Sequence, residues 1–150
     1  MLKGRLLCLD PGQKRVGVAI SDELQITVRP LPHLRRTNWK QLSRAVAEMI
    51  KRFDAQALVI GLPLRLDGTE GAAAVEARRL ARDFELALEV PVYLQDERLT
   101  SLEAEEELRA QGLTGGDLRA RVDSQAAAII LRDFIAQLES HRETPLCSDS

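Results

Sequence analysis

Leu6-Leu7-Cys8-Leu9-Asp10-Pro11-Gly12, followed by Val16-Gly17-Val18-Ala19-Ile20, decides how this chain folds. The first run is apolar up to Asp10 and is stopped by Pro-Gly, so it reads as a buried strand entering a turn. The second alternates large and small apolar residues and folds back antiparallel on the first. An acid at the end of an apolar strand is costly unless it does chemistry. The same pattern recurs in Val90-Pro91-Val92-Tyr93-Leu94-Gln95-Asp96-Glu97, a strand-length stretch that turns acidic only at its carboxyl end. In α/β sheets ligands gather at the carboxyl ends of parallel strands. If these two strands are parallel neighbours, Asp10 and Glu97 meet there.

Outward from that hairpin, a third strand is predicted over Gln25 to Arg29. Trp39, Leu42, Val46, Met49, Ile50 and Phe53 then recur at helical spacing, with Arg44, Glu48 and Lys51 on the outer face. Ala57 to Ile60 is a short apolar strand closed by Gly61, and Leu62 to Gly71 is a loop rich in Gly, Pro and Asp. A second helix carries the stripe Ala73, Ala77, Leu80, Ala81, Phe84 and Leu88. Beyond Glu97, Thr100 and Glu103 pair as a capping box and start a short helix. Gln111 to Arg121, with Gly112, Gly115 and Gly116, is expected to be a mobile loop. The last helix turns Ala127, Ile130 and Phe134 inward. Asp123, four residues before Ala127, falls on the same stripe in the first turn. From Glu139 onward there is no periodicity, which sets a domain of residues 1–138 and a disordered tail of 139–150. This order predicts an α/β, ribonuclease H-like layout: a mixed five-stranded sheet, a three-stranded antiparallel meander plus two parallel strands, flanked by helices.

Composition narrows the class. The chain has 150 residues, enough for one domain with a real core, and 45% of them are hydrophobic. Aromatic residues make up only 3%, so stacking platforms for unpaired bases are hard to assemble. No apolar run approaches the roughly 18 residues of a membrane span, and the amino terminus leads straight into strand one, so a cytoplasmic protein with no membrane contact is expected. Cys8 and Cys147, like His33 and His141, stand too far apart in type and spacing for a disulfide framework, a zinc site or a Ser-His-Asp triad. The net charge is −2, from 21 basic and 23 acidic residues, so nucleic-acid binding has to come from local patches.

Each candidate acid also has a structural explanation. Asp10 before Pro-Gly suits the first position of a β-turn, Glu97 suits a solvated strand end, and Asp123 suits a helix amino terminus. Their agreement favours chemistry, because three separate elements bring a carboxylate to the same edge of the predicted sheet. Asp96 competes with Glu97 but has the opposite strand parity. Clustered carboxylates repel, and one is forced to protonate unless a cation compensates. Mg²⁺ or Mn²⁺ removes that conflict, since hard cations take carboxylate oxygens and retained water. Two metals about 3.5 to 4 Å apart stabilise the attacking and leaving oxygens of a phosphodiester. Asp10, Glu97 and Asp123 are therefore the candidate catalytic and metal-holding residues.

Basic residues neighbour each of them. Lys14 and Arg15 follow the Asp10 turn, Arg98 follows Glu97, Arg119 and Arg121 precede Asp123, and Arg65 sits in the glycine-rich loop. Singly, each reads equally as solvated surface. As a set they lie where a phosphate backbone has to pass.

Four blocks then carry a family resemblance: Leu9-Asp10-Pro11-Gly12-Gln13-Lys14-Arg15-Val16-Gly17-Val18-Ala19; Gly61-Leu62-Pro63 with Asp67-Gly68-Thr69; Asp96-Glu97-Arg98-Leu99-Thr100-Ser101; and Val122-Asp123-Ser124-Gln125-Ala126-Ala127. In this order, over roughly Leu6 to Leu138, they resemble the signature blocks of the YqgF (RuvX) family. The resemblance implies a ribonuclease H-like fold related to the RuvC resolvase, with the family acids on Asp10, Glu97 and Asp123. It also implies a bacterial nuclease that processes the 5′ end of pre-16S ribosomal RNA, or else a Holliday-junction resolvase acting on branched DNA. Thr100 and Ser101 of the third block join the basic set as candidate nucleic-acid contacts.

Two other classes share features of this reading. Actin-like ATPases also open with a strand, Asp-x-Gly and a hairpin, but they need two such domains to enclose a nucleotide. A non-catalytic nucleic-acid binder keeps the fold and loses the acids, all three of which are present here. Symmetrical cutting of a four-way junction calls for a homodimer with two active sites; trimming an RNA end needs one.

Overall fold

The computed structural model describes residues 2–65, 67–97, 110 and 115–143, without the side chains of 115–123 and 140–143. Strand β1 (Arg5–Pro11) and strand β2 (Arg15–Ser21) form the antiparallel hairpin that the opening stretch predicts, with Asp10 opposite Gly17. Strand β3 (Val28–Arg35) pairs antiparallel with β2, helix α1 covers Trp39–Phe53, and strand β4 (Ala55–Leu62) lies parallel to β1. Helix α2 (Ala72–Ala87) leads to strand β5 (Val92–Asp96), parallel to β4, and helix α3 spans Gly115–Glu143. The sheet order is β3-β2-β1-β4-β5, a meander extended by two parallel strands.

Period-two alternation splits the core between the two faces of the sheet. Leu7, Leu9, Val16, Val18, Ile20, Leu58 and Ile60 point to the face covered by α1 and α2, where they meet Leu42, Val46, Leu80 and Phe84. Leu6, Cys8, Ala19, Ala57 and Val59 point to the other face, against Ala127, Ile130, Leu131 and Phe134 of α3. Small residues on that side let α3 approach closely. Each large aliphatic side chain buried here contributes about 1.5–3 kcal/mol. Helix α1 begins where the Asn38 side chain accepts a hydrogen bond from the Gln41 N–H at 2.8 Å. It ends at Asp54, which adopts the left-handed conformation (φ 54°), after Lys51 and Arg52 have placed positive charge at the negative end of the helix.

Four expectations need correction. The third strand does not cover Gln25 to Arg29, because Asp22 closes a turn first. Its Oδ1 accepts from the N–H groups of Ile26 (2.7 Å) and Thr27 (2.9 Å), and Gln25 takes a positive φ of 58°. The Gln25 side-chain amide donates instead to the carbonyls of Leu2 and Gly4. The strand starts at Val28 and continues through Pro30 and Pro32, which an edge strand tolerates because a missing N–H can face outward. On α2 the stripe uses Ala74 rather than Ala73. The stretch from Gly115 to Arg121, expected as part of a mobile loop, is helical. Its two glycines fall in the first turn, and the packed run Ala126 to Leu131 that follows anchors the helix more strongly than intrinsic propensity opposes it. Helix α3 also runs past Leu138 to Glu143. The short helix expected from Thr100 and residues 144–150 of the tail lie outside the described residues. No helix among the described residues is long and apolar enough to cross a membrane.

Candidate active site

Strands β1, β4 and β5 all end at one edge of the sheet, and that edge carries the acids. Asp10 shares strand parity with Leu6 and Cys8, so it faces α3. Tyr93 contacts Phe134 of α3 with ring centroids 5.5 Å apart, which puts Tyr93, Gln95 and Glu97 on the same face. The Glu97 N–H donates to the Leu62 carbonyl at 3.1 Å and extends the β4–β5 ladder by one residue. Asp96 has the opposite parity, as the sequence implies.

The two strands are nevertheless not neighbours, because β4 runs between them. Asp10 and Glu97 meet because β4 has no side chain at the point of crossing. One step beyond the Leu9–Ile60 pair lies Gly61. A Cβ there would sit 2.8 Å from Glu97 Oε2 and 2.8 Å from Ile130 Cδ1. The Glu97 carboxyl occupies that space and is hydrogen-bonded to the Asp10 carboxyl. Burial pushes the Glu97 acid well above the usual carboxylate range, and Asp10, followed by Asp96, adds to the effect. Cys8, beneath the pair and fully buried, is likewise held in its thiol form by burial and then by the two acids. It is no nucleophile.

Among the described residues no group of three His, Cys, Asp or Glu side chains stands close enough to hold a metal ion. The Asp10–Glu97 pair still has the donor chemistry for a hard divalent cation: two carboxyl groups, half-buried and in conflict over charge. The side chain of Asp123 lies outside the described residues. Its neighbour does not: Ser124 is buried, and its Oγ accepts from the Val18 N–H at 3.3 Å, which docks this part of α3 beside the Asp10–Gly17 pair.

The cations of the same edge are partly ordered by the backbone. The Gly12 N–H donates to the Arg15 carbonyl at 2.9 Å, and a Cβ on Gly12 would meet that oxygen at 2.7 Å, so the turn presenting Lys14 needs glycine. Arg36 braces it. Its guanidinium donates to the Gly12 carbonyl (2.9 Å) and to Glu76 of α2 (2.8 Å), while its backbone N–H donates to the Lys14 carbonyl (2.9 Å). Lys14 is exposed, and Arg15 opens β2. Arg65 is exposed after β4 and lies over Gly71 at the start of α2, its Nε 3.0 Å from where a Cβ would stand. Arg98, Thr100 and Ser101 lie outside the described residues. Arg119 and Arg121 stand on the helical backbone of α3, with side chains outside the description. Sequence reasoning missed Gly61, Ser124 and Arg36. Gly61 read as a strand terminator and, like Ser124, was otherwise quoted only as part of a motif, and Arg36 carries no local signal.

Comparison with known proteins gives the family and the fold. A family model described as RuvX, Holliday junction resolvase, matches residues 4–137. A protein of Anaeromyxobacter sp. (strain K) named "Putative pre-16S rRNA nuclease" is 46% identical over 132 residues, covering 87% of this chain and 96% of that one. One of the same name from Syntrophus aciditrophicus (strain SB) is 41% identical over 138 residues, covering 92% of each. Among solved structures, T. thermophilus RuvC in complex with a Holliday junction substrate matches with a TM-score of 0.56 at 19% identity, covering 91% of this chain and 97% of that one. That likeness shows the fold, which is ribonuclease H-like.

Proposed function

We propose, from the premise that this chain belongs to the RuvX family, that it is a metal-dependent nuclease that hydrolyses phosphodiester bonds at the 5′ end of pre-16S ribosomal RNA. The observation that carries the reading is the Asp10–Glu97 pair, two carboxyls brought together at the carboxyl edge of the sheet across a glycine. Asp123 completes the set from α3. These three residues would hold Mg²⁺ or Mn²⁺, as a two-metal site, and the cations would supply Lewis-acid stabilisation of the charge that develops on the phosphodiester. The protein's own share is to orient the carboxylates and to exclude bulk water beneath them with Cys8 and Ile130. It also brings the phosphate backbone in over Lys14, Arg15, Arg65, Arg98, Thr100, Ser101, Arg119 and Arg121. We place this work in the cytoplasm, where ribosomal RNA precursors are processed.

The family description favours a second reading, resolution of Holliday junctions. That reaction calls for a homodimer with two active sites. One experiment separates the two. The same preparation is given a precursor rRNA leader and a synthetic four-way junction with Mg²⁺ or Mn²⁺, with Asp10→Asn as control. Cleavage of the leader by the native chain alone supports the RNA reading. Symmetrical cutting of the junction with the leader left intact replaces it with the second, and activity that survives Asp10→Asn overturns the site itself.

A further inference from the structure

We infer that the groove between β3 and α1 carries the RNA strand onward from the cleavage site, so that the chain grips its substrate along a second, basic face. This rests on the nuclease reading and adds to it a surface remote from the acids. The groove has a volume of about 510 Å³ and is lined by Arg29 and His33 of β3 and by Glu48, Met49, Arg52 and Phe53 of α1. The Phe53 ring holds two guanidinium groups, with Arg29 Cζ 6.0 Å and Arg52 Cζ 5.4 Å from its centroid. Such contacts fix a cation in place without neutralising it. Among the described residues no carboxylate forms a salt bridge with Arg29, Arg35, Arg44 or Arg52, whereas Arg36 and Arg78 are paired with Glu76 and Glu70.

The charge is concentrated here. Residues 28–54 hold seven Lys and Arg against two acids, Glu48 and Asp54, in a chain whose net charge is −2. The remainder of the chain carries the balancing excess of acids, so this face adds an attraction for a polyanion beyond the cations of the active edge. The groove runs along the edge strand that leads back to the active-edge turn, where the Arg36 N–H, just past β3, donates to the Lys14 carbonyl at 2.9 Å. From that junction the track follows β3 over six residue steps, roughly 20 Å, from Arg35 to Arg29. A second copy of the chain is a poor occupant. Pro30 and Pro32 remove two N–H groups from the edge strand that would template strand addition, and a two-fold copy sets positive charge against positive charge.

The test uses the full chain with Arg29→Gln and Arg52→Gln together. It is titrated at several salt concentrations with a short RNA covering only the cleavage site and with a leader RNA extending past it. Expected are about ten-fold weaker binding of the leader and a salt slope shallower by about 1.4, two phosphate contacts at roughly 0.7 each, with binding and cleavage of the short RNA unchanged. Arg29→Lys with Arg52→Lys keeps the charge and should keep the slope, which separates charge from packing over Phe53. If the glutamine pair melts early, Arg29→Gln and Arg52→Gln are read singly, each expected to make the slope shallower by about 0.7. An unchanged slope for the leader, or an equal loss with the short RNA, overturns the groove while leaving the nuclease intact. A native chain that neither binds nor cuts either RNA overturns both.

Discussion

Asp10 and Glu97 share a hydrogen bond across a strand that belongs to neither, and Gly61 is what lets them touch. Two carboxyls so placed are poorly matched to an apolar edge and well matched to a divalent cation. The consequences can be measured one residue at a time.

Replacing Asp10 with Asn keeps the shape and removes a charged ligand. Cleavage should fall by at least about a hundred-fold with either Mg²⁺ or Mn²⁺, while the metal-free protein melts no lower than the native one, because the amide can keep a hydrogen bond to the Glu97 carboxyl and removes a partly buried charge. Glu97→Gln should behave alike. Asp96→Asn should be milder, since its side chain has the opposite parity; a larger loss at Asp96 than at Glu97 in the same cleavage assay would move the ligand to Asp96.

Gly61→Ala introduces a methyl group 2.8 Å from Glu97 Oε2 and from Ile130 Cδ1. Both contacts are the far ends of side chains, so Glu97 and Ile130 must swing aside to admit it. The variant should lose about 1–3 kcal/mol in urea unfolding, the usual cost of overpacking, and its cleavage should drop because Glu97 is displaced. Native activity in Gly61→Ala would show that the Glu97 position over β4 is not the working one.

The pH dependence of the metal-free protein follows from Glu97. Its acid is raised above the ordinary 4.5 in the folded state, so as pH climbs past that value the unfolded chain gives up the proton first. The folded state then binds more protons than the unfolded one, and stability falls with rising pH from about 4.5 to about 10, where the folded pair has also lost its proton. A divalent cation needs the deprotonated pair, so the rise in melting temperature on adding Mn²⁺ should grow from about pH 5 to about pH 8. A metal-induced shift that is flat over that range would remove the carboxyl pair from the binding site.

Arg36→Ala takes away the brace on the turn that presents Lys14. The partly exposed pair with Glu76 is itself worth little, about 0–1 kcal/mol, so melting should change slightly. Cleavage should suffer through substrate binding, seen as a higher KM with kcat less affected. Glu76→Gln should be milder, because the Arg36 bond to the Gly12 carbonyl survives.

Much of this was legible in the sequence, for reasons that particular residues make clear. The run ending at Asp10 and the alternation of Val16 to Ile20 are local patterns, and they gave the hairpin and its buried faces. Trp39 to Phe53 kept strict helical spacing and formed the helix it implied. What escaped was set by partners distant in sequence. The start of β3 depends on one Asp22 oxygen capturing two backbone N–H groups, which no propensity announces. The meeting of Asp10 with Glu97 was anticipated, but as neighbours; that a third strand intervenes and yields through Gly61 requires the fold. Gly115 and Gly116 suggested a loop, and the buried Ala-Ile run after them decided otherwise.

Cys8 lies sealed in the central strand directly under the carboxyl pair, against α3. A thiol in that position cannot meet an alkylating reagent until sheet and helix part. In a Cys147→Ser background the labelling rate of Cys8 therefore times the opening of the layer that supports the acids. The chain carries its own clock for the breathing of its active edge, readable without any substrate at all.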